Sequence, residues 1–331
     1  MTSSNSDRPG EFELIARLFA PLARGAPGAF GLIDDAAVIA PPAGEELVVT
    51  TDALVEGVHF LRSDPPGTIA KKSLRMNLSD LAAKGATPMA HLLALSLPDW
   101  PDLAWLDAFA RGLGEDQNTY GISLIGGDTT RTPGPLTLAI TALGSIPQGA
   151  LIRRAGAKPG DRVFVSGTIG DAGGGLALLK GESATVSAAE REMLIARYRE
   201  PSPRVALGPA LRGIASAALD VSDGLLADLG HIADVSKVRI VVEAARIPLS
   251  PALRALWGDD TAARSKAATA GDDYEIAFTA PESSRNAILK AAVQTAVAIA
   301  EIGRVEEGRG VALLDESGRD IEVGNRGFVH F

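Results

Sequence analysis

Aspartates recur in this sequence at the points where a hydrophobic run ends and glycine or a small polar residue follows. They are Asp34-Asp35 in GLIDDAAVI, Asp52 in ELVVTTDALVEGVHF, Asp128 in ISLIGGDTTR, Asp220 and Asp223 in ALDVSDGLLADL, and Asp272-Asp273 in TAGDDYEIAF. An apolar run that ends in a carboxylate predicts a strand in the core with an acidic tip at the edge of its sheet. The repetition, with Asp80 added from a helical pattern, predicts a shared site for hard cations. Because Mg²⁺ prefers oxygen ligands and commonly accompanies phosphates, the pattern favours a Mg²⁺-dependent enzyme that acts on phosphates.

The composition limits the classes of function. With 331 residues, 46% of them hydrophobic, the chain is long enough for two domains with buried cores. The sequence contains no run of about 20 apolar residues that could span a bilayer, and MTSSNSDRPGEF does not resemble a secretory signal. Zero cysteines exclude disulfides and thiolate chemistry, and we expect a cytoplasmic protein. A formal charge of −9 argues against a nucleic-acid-binding surface.

Hydrophobic periodicity predicts a mixture of helices and strands. The predicted helices cover residues 11–22, 69–84, 103–120, 225–233 and 284–296, and the predicted strands cover 36–40, 47–51, 91–97, 122–125, 136–143, 162–166, 215–221, 239–243, 274–279 and 311–314. A capping box at Ser187–Glu190 predicts a further helix ending at Arg199. A glycine-rich turn over 167–175 leads into 176–179.

The alternation of elements lacks a strict βαβ order, so two α+β domains are predicted rather than one doubly wound sheet. The break at Pro147-Gln148-Gly149 sets the predicted boundary between domains 1–147 and 148–331.

Two segments have the composition of a phosphate or metal site, and each has an ordinary structural alternative. GGDTT at 126–130 combines glycines that permit close backbone approach with a carboxylate and hydroxyls. Thr50-Thr51-Asp52 ends another apolar run. A single aspartate here is ordinarily a cap or turn residue, whereas the set together favours a metal site. The turn at 167–173 suits either a phosphate at a helix N-terminus or a tight strand-to-helix connection.

The common signatures of other phosphate enzymes and hydrolases are missing from the sequence. It contains neither the P-loop pattern GxxxxGK[ST] nor the GxSxG pattern of a serine nucleophile. His59, one of four histidines, is a candidate substrate contact or general base, although a histidine beside phenylalanine is often a satisfied, half-buried residue. We therefore assign no catalytic base.

Several of these segments together resemble the thiamine-monophosphate kinases of the aminoimidazole-ribonucleotide synthetase superfamily. The resemblance runs in order through nearly the whole chain. It rests on GEFELIARLF, Asp34-Asp35, TTDALVEGVHF, NLSDLAAKGATP, LIGGDTTR, RRAGAKPGD, PSPR, LDVSDGLLADLGHI and GDDYEIAF.

The resemblance implies transfer of the ATP γ-phosphoryl group to thiamine monophosphate, with several Mg²⁺ ions and without a covalent enzyme intermediate. It also implies a homodimer in which the N-terminal domains pair their sheets, and a C-terminal α/β sandwich that completes the ATP and substrate site. By motif position, the metal ligands would be Asp35, Thr50, Thr51, Asp52, Asp80, Asp128, Asp220 and Asp223. The ATP contacts would be Gly127, Asp128, Arg154 and Ser222, and the thiamine-monophosphate contacts would be His59, Asp272 and Phe328.

This chain departs from the family pattern at two places. Asp272 stands where the family commonly has glutamate, so its carboxylate reaches one methylene less far. Ile33 precedes Asp34-Asp35 where the family often has glycine, and this stiffens the loop. Two alternatives stay open: another ATP-dependent enzyme like aminoimidazole-ribonucleotide synthetase, and a non-catalytic nucleotide-binding relative.

Overall fold

The computed structural model describes residues 10–182, 185–324 and 326–328 and divides them into two compact units. The first unit contains the described residues up to Leu81 together with Thr87–Pro147. The second contains Ala82–Ala86 together with the described residues from Gln148 onward. This division differs from the predicted one at 147/148 by the five residues Ala82–Ala86, which comprise the end of a helix begun in the first unit and the turn after it. Within the described residues, every helix is too short or too polar to cross a membrane.

A four-stranded mixed sheet organises the first unit. Its elements are α1 (Glu11–Leu14), β1 (Glu45–Val55), α2 (Pro66–Ala83), β2 (Thr87–Leu97), α3 (Leu103–Tyr120), β3 (Ser123–Arg131) and β4 (Thr137–Pro147). The strand order is β1-β4-β2-β3, with β2 and β3 parallel and the other pairs antiparallel. Strand β4 alternates buried Leu138, Ile140 and Ala142 with partly exposed residues between them, so one face of the sheet lies in the core.

The apolar stripes of α2 and α3 fill that core. Leu74, Leu78 and Leu81 of α2 are fully buried at helical spacing. Asp102 caps α3 by accepting from the Trp105 amide, and Gly121 in the left-handed conformation ends it. The predicted bounds of α3 are confirmed.

The predicted helix over residues 11–22 is only partly correct. An α-helical turn at Glu11–Leu14 gives way to a π-helix, Ile15–Phe19, and a 3₁₀ helix, Ala20–Ala23. Pro21 has no N–H and cannot continue an α-helical hydrogen-bond ladder. The predicted strand over residues 36–40 is wrong: Val38 donates to the Gly28 carbonyl at 2.9 Å in an irregular segment. The next residues, 41 and 42, are both prolines and cannot extend a ladder.

A six-stranded mixed sheet organises the second unit, in the order β10-β7-β9-β5-β8-β6. The strands are β5 (Arg162–Ser166), β6 (Ala217–Asp220), β7 (Arg239–Glu243), β8 (Ile276–Ala280), β9 (Ile299–Glu306) and β10 (Gly310–Leu314). The helices are α4 (Asp171–Leu179), α5 (Ala188–Arg199), α6 (Leu207–Ala210), α7 (Leu225–Ser236), α8 (Pro251–Trp257), α9 (Thr261–Ala268) and α10 (Arg285–Thr295). One core cluster joins α7 to the strands through Leu219, Leu229 and Ile240.

Local packing explains where prediction and structure differ in this unit. Helix α4 begins at Asp171, within the stretch predicted as a turn. A Cβ at Gly175 would lie 2.1 Å from the Leu194 carbonyl oxygen, so the glycine permits close packing of α4 on α5. The capping box is confirmed, because Ser187 and Glu190 bond reciprocally at 3.2 and 2.8 Å. Helices α6, α8 and α9 and strand β9 are not predicted by the sequence patterns.

Candidate functional site

Strand β1 and helix α2 bring two predicted metal ligands together in the first unit. Thr50 and Asp52 lie on the face of β1 that also carries buried Leu54. The Thr50 hydroxyl donates to Asp80 Oδ2. Burial, with the neighbouring Asp80 as a second cause, raises the pKa of Asp52 to about 7. We refer to Thr50, Asp52 and Asp80 as the β1–α2 cluster. It brings two carboxyl groups together, and burial makes ionisation of Asp52 costly in the absence of a cation.

Thr51 points away from the β1–α2 cluster. Its side chain is exposed, and its hydroxyl lies 3.2 Å from the Ile140 carbonyl oxygen and 3.0 Å from the Thr141 hydroxyl. Alternation along the strand places it on the face opposite Asp52. The structure therefore separates the Thr51 side chain from the cluster, and its role as a metal ligand stays a prediction.

Two further predicted ligands line a cavity of about 1080 Å³ in the first unit. Asp35 and Asp128 both contribute to its wall, together with Gly127 and apolar residues of the N-terminal segment. Asp128 is exposed and paired in register with exposed Ala94, on the opposite sheet face from Asp52. The first unit thus holds its predicted ligands in two places, the β1–α2 cluster and this cavity.

The backbone at Gly127 leaves no room for a side chain. Its φ is 155°, and a Cβ there would lie 1.9 Å from the Leu93 carbonyl oxygen. The glycine lets β3 run close to β2 directly before Asp128. This is the physical reason for glycine in the GGDTT segment.

His59 is held in the loop after β1 through its ring and its backbone. The Val55 amide donates to its Nδ1 at 3.0 Å, so the neutral ring carries its proton on Nε2. Buried Lys72 donates from Nζ to the His59 carbonyl at 2.9 Å. These contacts fix the ring in one tautomer and orientation.

A loop between β6 and α7 gathers the predicted residues of the second unit. The backbone amides of Ser222, Asp223 and Gly224 donate to one oxygen of Asp228, at 3.0, 3.1 and 3.1 Å. The pKa of Asp228 is raised to about 7, first by burial and then by Asp223, against the lowering effect of those three amides. We call residues 222–224 the β6–α7 loop. Its conformation depends on the Asp228 carboxyl.

The acidic character of this region extends beyond the predicted residues. The potential ligand atoms of Asp223, Asp228 and His231 lie within 4.8 Å of one another. The sequence reasoning overlooked Asp228 and His231. Both fall on one face of the predicted helix at i and i+3, a short distance after Asp223 in the sequence, and that spacing was the available signal.

The two predicted substrate contacts of the second unit are tied to the same loop. The Asp272 amide donates to the Ser222 carbonyl at 2.8 Å, and the Phe328 amide donates to the Asp223 carbonyl at 2.9 Å. The Phe328 ring is half exposed. The β6–α7 loop therefore joins a predicted ATP contact, a predicted metal ligand and two predicted substrate contacts through backbone hydrogen bonds.

Asp220 and Arg154 lie outside the β6–α7 loop. Asp220 is buried at the end of β6, two residues before the β6–α7 loop. Arg154 is exposed, and its carbonyl oxygen lies 3.5 Å from the Ser236 hydroxyl. The acidic groups offer oxygen ligands, which Mg²⁺ prefers. The planar guanidinium of Arg154 can donate two parallel hydrogen bonds to a phosphate.

Comparison with known proteins gives matches along nearly the whole chain. Residues 33–146 match the family described as AIR synthase related protein, N-terminal domain, and residues 158–316 match the corresponding C-terminal domain. The thiamine-monophosphate kinase of Caulobacter vibrioides is 48% identical, with 97% of this chain and 91% of that protein covered.

Solved structures agree with these matches. A crystal structure of thiamine-monophosphate kinase from Stenotrophomonas maltophilia K279a is 46% identical, with a TM-score of 0.80 and coverage of 88% and 91% of the two chains. AaThiL complexed with AMPPCP and TMP is 32% identical, with a TM-score of 0.77 and coverage of 99% and 100%.

Proposed function

The chain belongs to the family of thiamine-monophosphate kinases, and we propose that it transfers the γ-phosphoryl group of ATP directly to thiamine monophosphate, using Mg²⁺ held by the acidic groups described above. The products are thiamine diphosphate and ADP. The observation that carries the proposal is full-length similarity to kinases of this name, joined to a relative of known structure that binds AMPPCP and TMP.

The chemistry of the acceptor explains why no catalytic base is needed. A phosphate monoester has its second pKa near 6, so the attacking oxygen is already ionised at neutral pH. The principal barrier is the repulsion between two anionic phosphates. Positioning and charge neutralisation then supply most of the acceleration.

The proposed metal ligands are Asp35, Thr50, Thr51, Asp52, Asp80, Asp128, Asp220 and Asp223. The donor chemistry of the β1–α2 cluster fits Mg²⁺, because it offers oxygen ligands and its carboxyl groups repel one another without a cation. When held by these residues, Mg²⁺ would supply positive charge that reduces the repulsion between the two phosphates.

The remaining proposed contacts divide between nucleotide and acceptor. Gly127, Asp128, Arg154 and Ser222 would bind ATP, with the Arg154 guanidinium supplying fixed positive charge. The acceptor would contact His59 and Asp272, and the half-exposed Phe328 ring offers an aromatic face to the cationic thiazolium.

A homodimer and a cytoplasmic location complete the proposal. The outer face of the first unit's sheet exposes Leu47, Val49 and Leu92, and an exposed apolar sheet face is a typical protein-binding surface. We propose that a second copy covers it. Val49→Asp should halve the mass measured by light scattering, whereas Val293→Asp, at an exposed position of α10, should not. A dimeric Val49→Asp protein would contradict this surface. The cytoplasmic location rests on composition and on the resemblance.

The activity is tested by measuring thiamine diphosphate formed from thiamine monophosphate, ATP and Mg²⁺. Free thiamine serves as a second acceptor, and a chelator removes the metal. We expect product from the monophosphate alone, and its loss with the chelator. ATP binding without product would favour the non-catalytic relative or another ATP-dependent reaction of the superfamily.

A further inference from the structure

The segment that carries Asp272 has an unfavourable backbone conformation. Asp272 has φ of 68° and Tyr274 has φ of 51°. Positive φ is uncommon for residues other than glycine, and a bulky side chain such as tyrosine is especially disfavoured there. Such a conformation persists only where the surrounding structure determines it.

Buried carboxyl groups hold this segment on its C-terminal side. The Glu275 carboxylate is fully buried and accepts from Ser166 Oγ at 2.6 Å, Arg197 at 2.8 Å and Arg204 Nε at 2.6 Å. Asp273 is also buried, and its carboxyl group accepts from the Gly170 amide at 2.6 Å. Residues 273 and 275 are therefore anchored by their side chains in the interior of the second unit.

Tyr274 lies between these two anchors and reaches back to Asp272. Its side chain is 2% exposed, and its amide donates to the Val221 carbonyl at 2.8 Å. Its hydroxyl donates to Asp272 Oδ1 at 3.0 Å. The Asp272 amide is itself bonded to Ser222, so the backbone and the carboxyl group of Asp272 are held separately.

We propose that Tyr274 is a positioning residue, whose hydroxyl fixes the Asp272 carboxyl group for recognition of the acceptor. This inference rests on the proposed function, in which Asp272 contacts thiamine monophosphate. A carboxylate only accepts hydrogen bonds, so Asp272 recognises a cationic or N–H-donating part of the acceptor, and not its phosphate. The Tyr274 hydroxyl restricts the rotation of the Asp272 carboxyl group.

The hydroxyl can be removed without disturbing the anchors. Tyr274→Phe keeps the ring volume, the backbone hydrogen bond and the contacts of Asp273 and Glu275. We expect the KM for thiamine monophosphate to rise roughly tenfold, the scale of a lost hydrogen bond to a charged group. The KM for ATP should change less than about twofold, because no ATP contact is altered.

A double-mutant cycle tests whether Tyr274 acts through Asp272. Asp272→Ala alone should raise the KM for thiamine monophosphate, and adding Tyr274→Phe should raise it no further, since the hydroxyl then has no carboxyl partner to orient. Tyr198→Phe is the matched control: Tyr198 is equally buried, on α5 of the same unit, and this variant should keep the wild-type KM.

The outcomes separate this inference from the proposed function. If wild-type protein forms no thiamine diphosphate, both fail. If wild type turns over but Tyr274→Phe keeps the wild-type KM, or weakens ATP and acceptor binding equally, only the inference fails. The inference is also overturned if Tyr274→Phe raises the KM for thiamine monophosphate by the same factor in the wild-type and Asp272→Ala backgrounds.

Discussion

Asp52 in the first unit and Asp228 in the second have the same raised pKa of about 7, and in both burial is the first cause and a neighbouring aspartate the second. Their hydrogen-bonding environments differ. Asp228 accepts from three backbone amides of the β6–α7 loop. Asp52 faces Asp80, whose carboxyl group accepts from the Thr50 hydroxyl.

This difference indicates different functions for two carboxyl groups with equal pKa values. The Asp228 carboxyl is already used by the protein, because three amides depend on it for their hydrogen bonds. The β1–α2 cluster instead places two carboxyl groups together, which favours a cation. A raised pKa alone does not distinguish a positioning group from a metal ligand, whereas the hydrogen-bond partners do.

The largest expected effect is on turnover, when the β1–α2 cluster loses one carboxylate. Asp80→Asn should lower the rate of thiamine diphosphate formation by on the order of 10²–10³-fold, the scale for removing one group that stabilises transition-state charge. Asp102→Asn is a control of equal charge change, since asparagine caps α3 as well as aspartate does. A near-wild-type rate for Asp80→Asn would remove the cluster from the metal site.

Stability should respond differently in the two regions. Asp228→Ala should lower the free energy of unfolding by roughly 1–3 kcal/mol, because three amides lose their acceptor. Asp52→Asn should leave that free energy unchanged or raise it, because it removes first the cost of a buried charge and second the repulsion with Asp80. Denaturant unfolding without Mg²⁺ at pH 8, where both groups are mainly ionised, measures both. Equal losses in the two variants would contradict the comparison.

A smaller effect is expected in the pH dependence of the metal-free protein. The folded-state pKa of Asp52 is about 7, against the ordinary aspartate value of 3.8, so between these pH values the folded state holds a proton that the unfolded state has lost. The contribution of Asp52 is therefore fully present below about pH 4 and is lost as the pH rises through 7. Asp52→Asn should flatten this decline in unfolding measurements across pH 4–8. An unaltered slope would show that Asp52 is not buried as described.

Much of the fold follows from local sequence signals. Helix α3 and strands β5 and β7 have their predicted bounds. The helix has a clear cap and a helical hydrophobic periodicity, and the two strands are short apolar segments. Strand β9 is different: it carries Glu301 and Arg304 within an interior strand, so its pattern does not alternate simply. Its place is set by pairing with β5 and β7, which a local pattern does not contain.

The residue types that form the candidate site can be predicted from the sequence, but their arrangement in space is harder to predict. Sequence motifs indicate Asp52, Asp80 and Asp223. The predicted strand ends at Thr51, whereas β1 continues to Val55, and this continuation is what places the Thr51 side chain on the face opposite Asp52. The role of Asp228 depends on how the β6–α7 loop folds back over the first turn of α7. The φ of 51° at Tyr274 likewise follows from buried contacts distant in sequence.

The most direct test of the β1–α2 cluster is a calorimetric titration of Mg²⁺ with a non-hydrolysable ATP analogue and thiamine monophosphate present. It compares wild type with the Asp52→Asn/Asp80→Asn double variant, and Asp102→Asn serves as the charge control. We predict that the double variant loses Mg²⁺ binding that the wild type and the control retain. Equal binding stoichiometry and affinity in all three proteins would contradict the assignment of this cluster as a cation site.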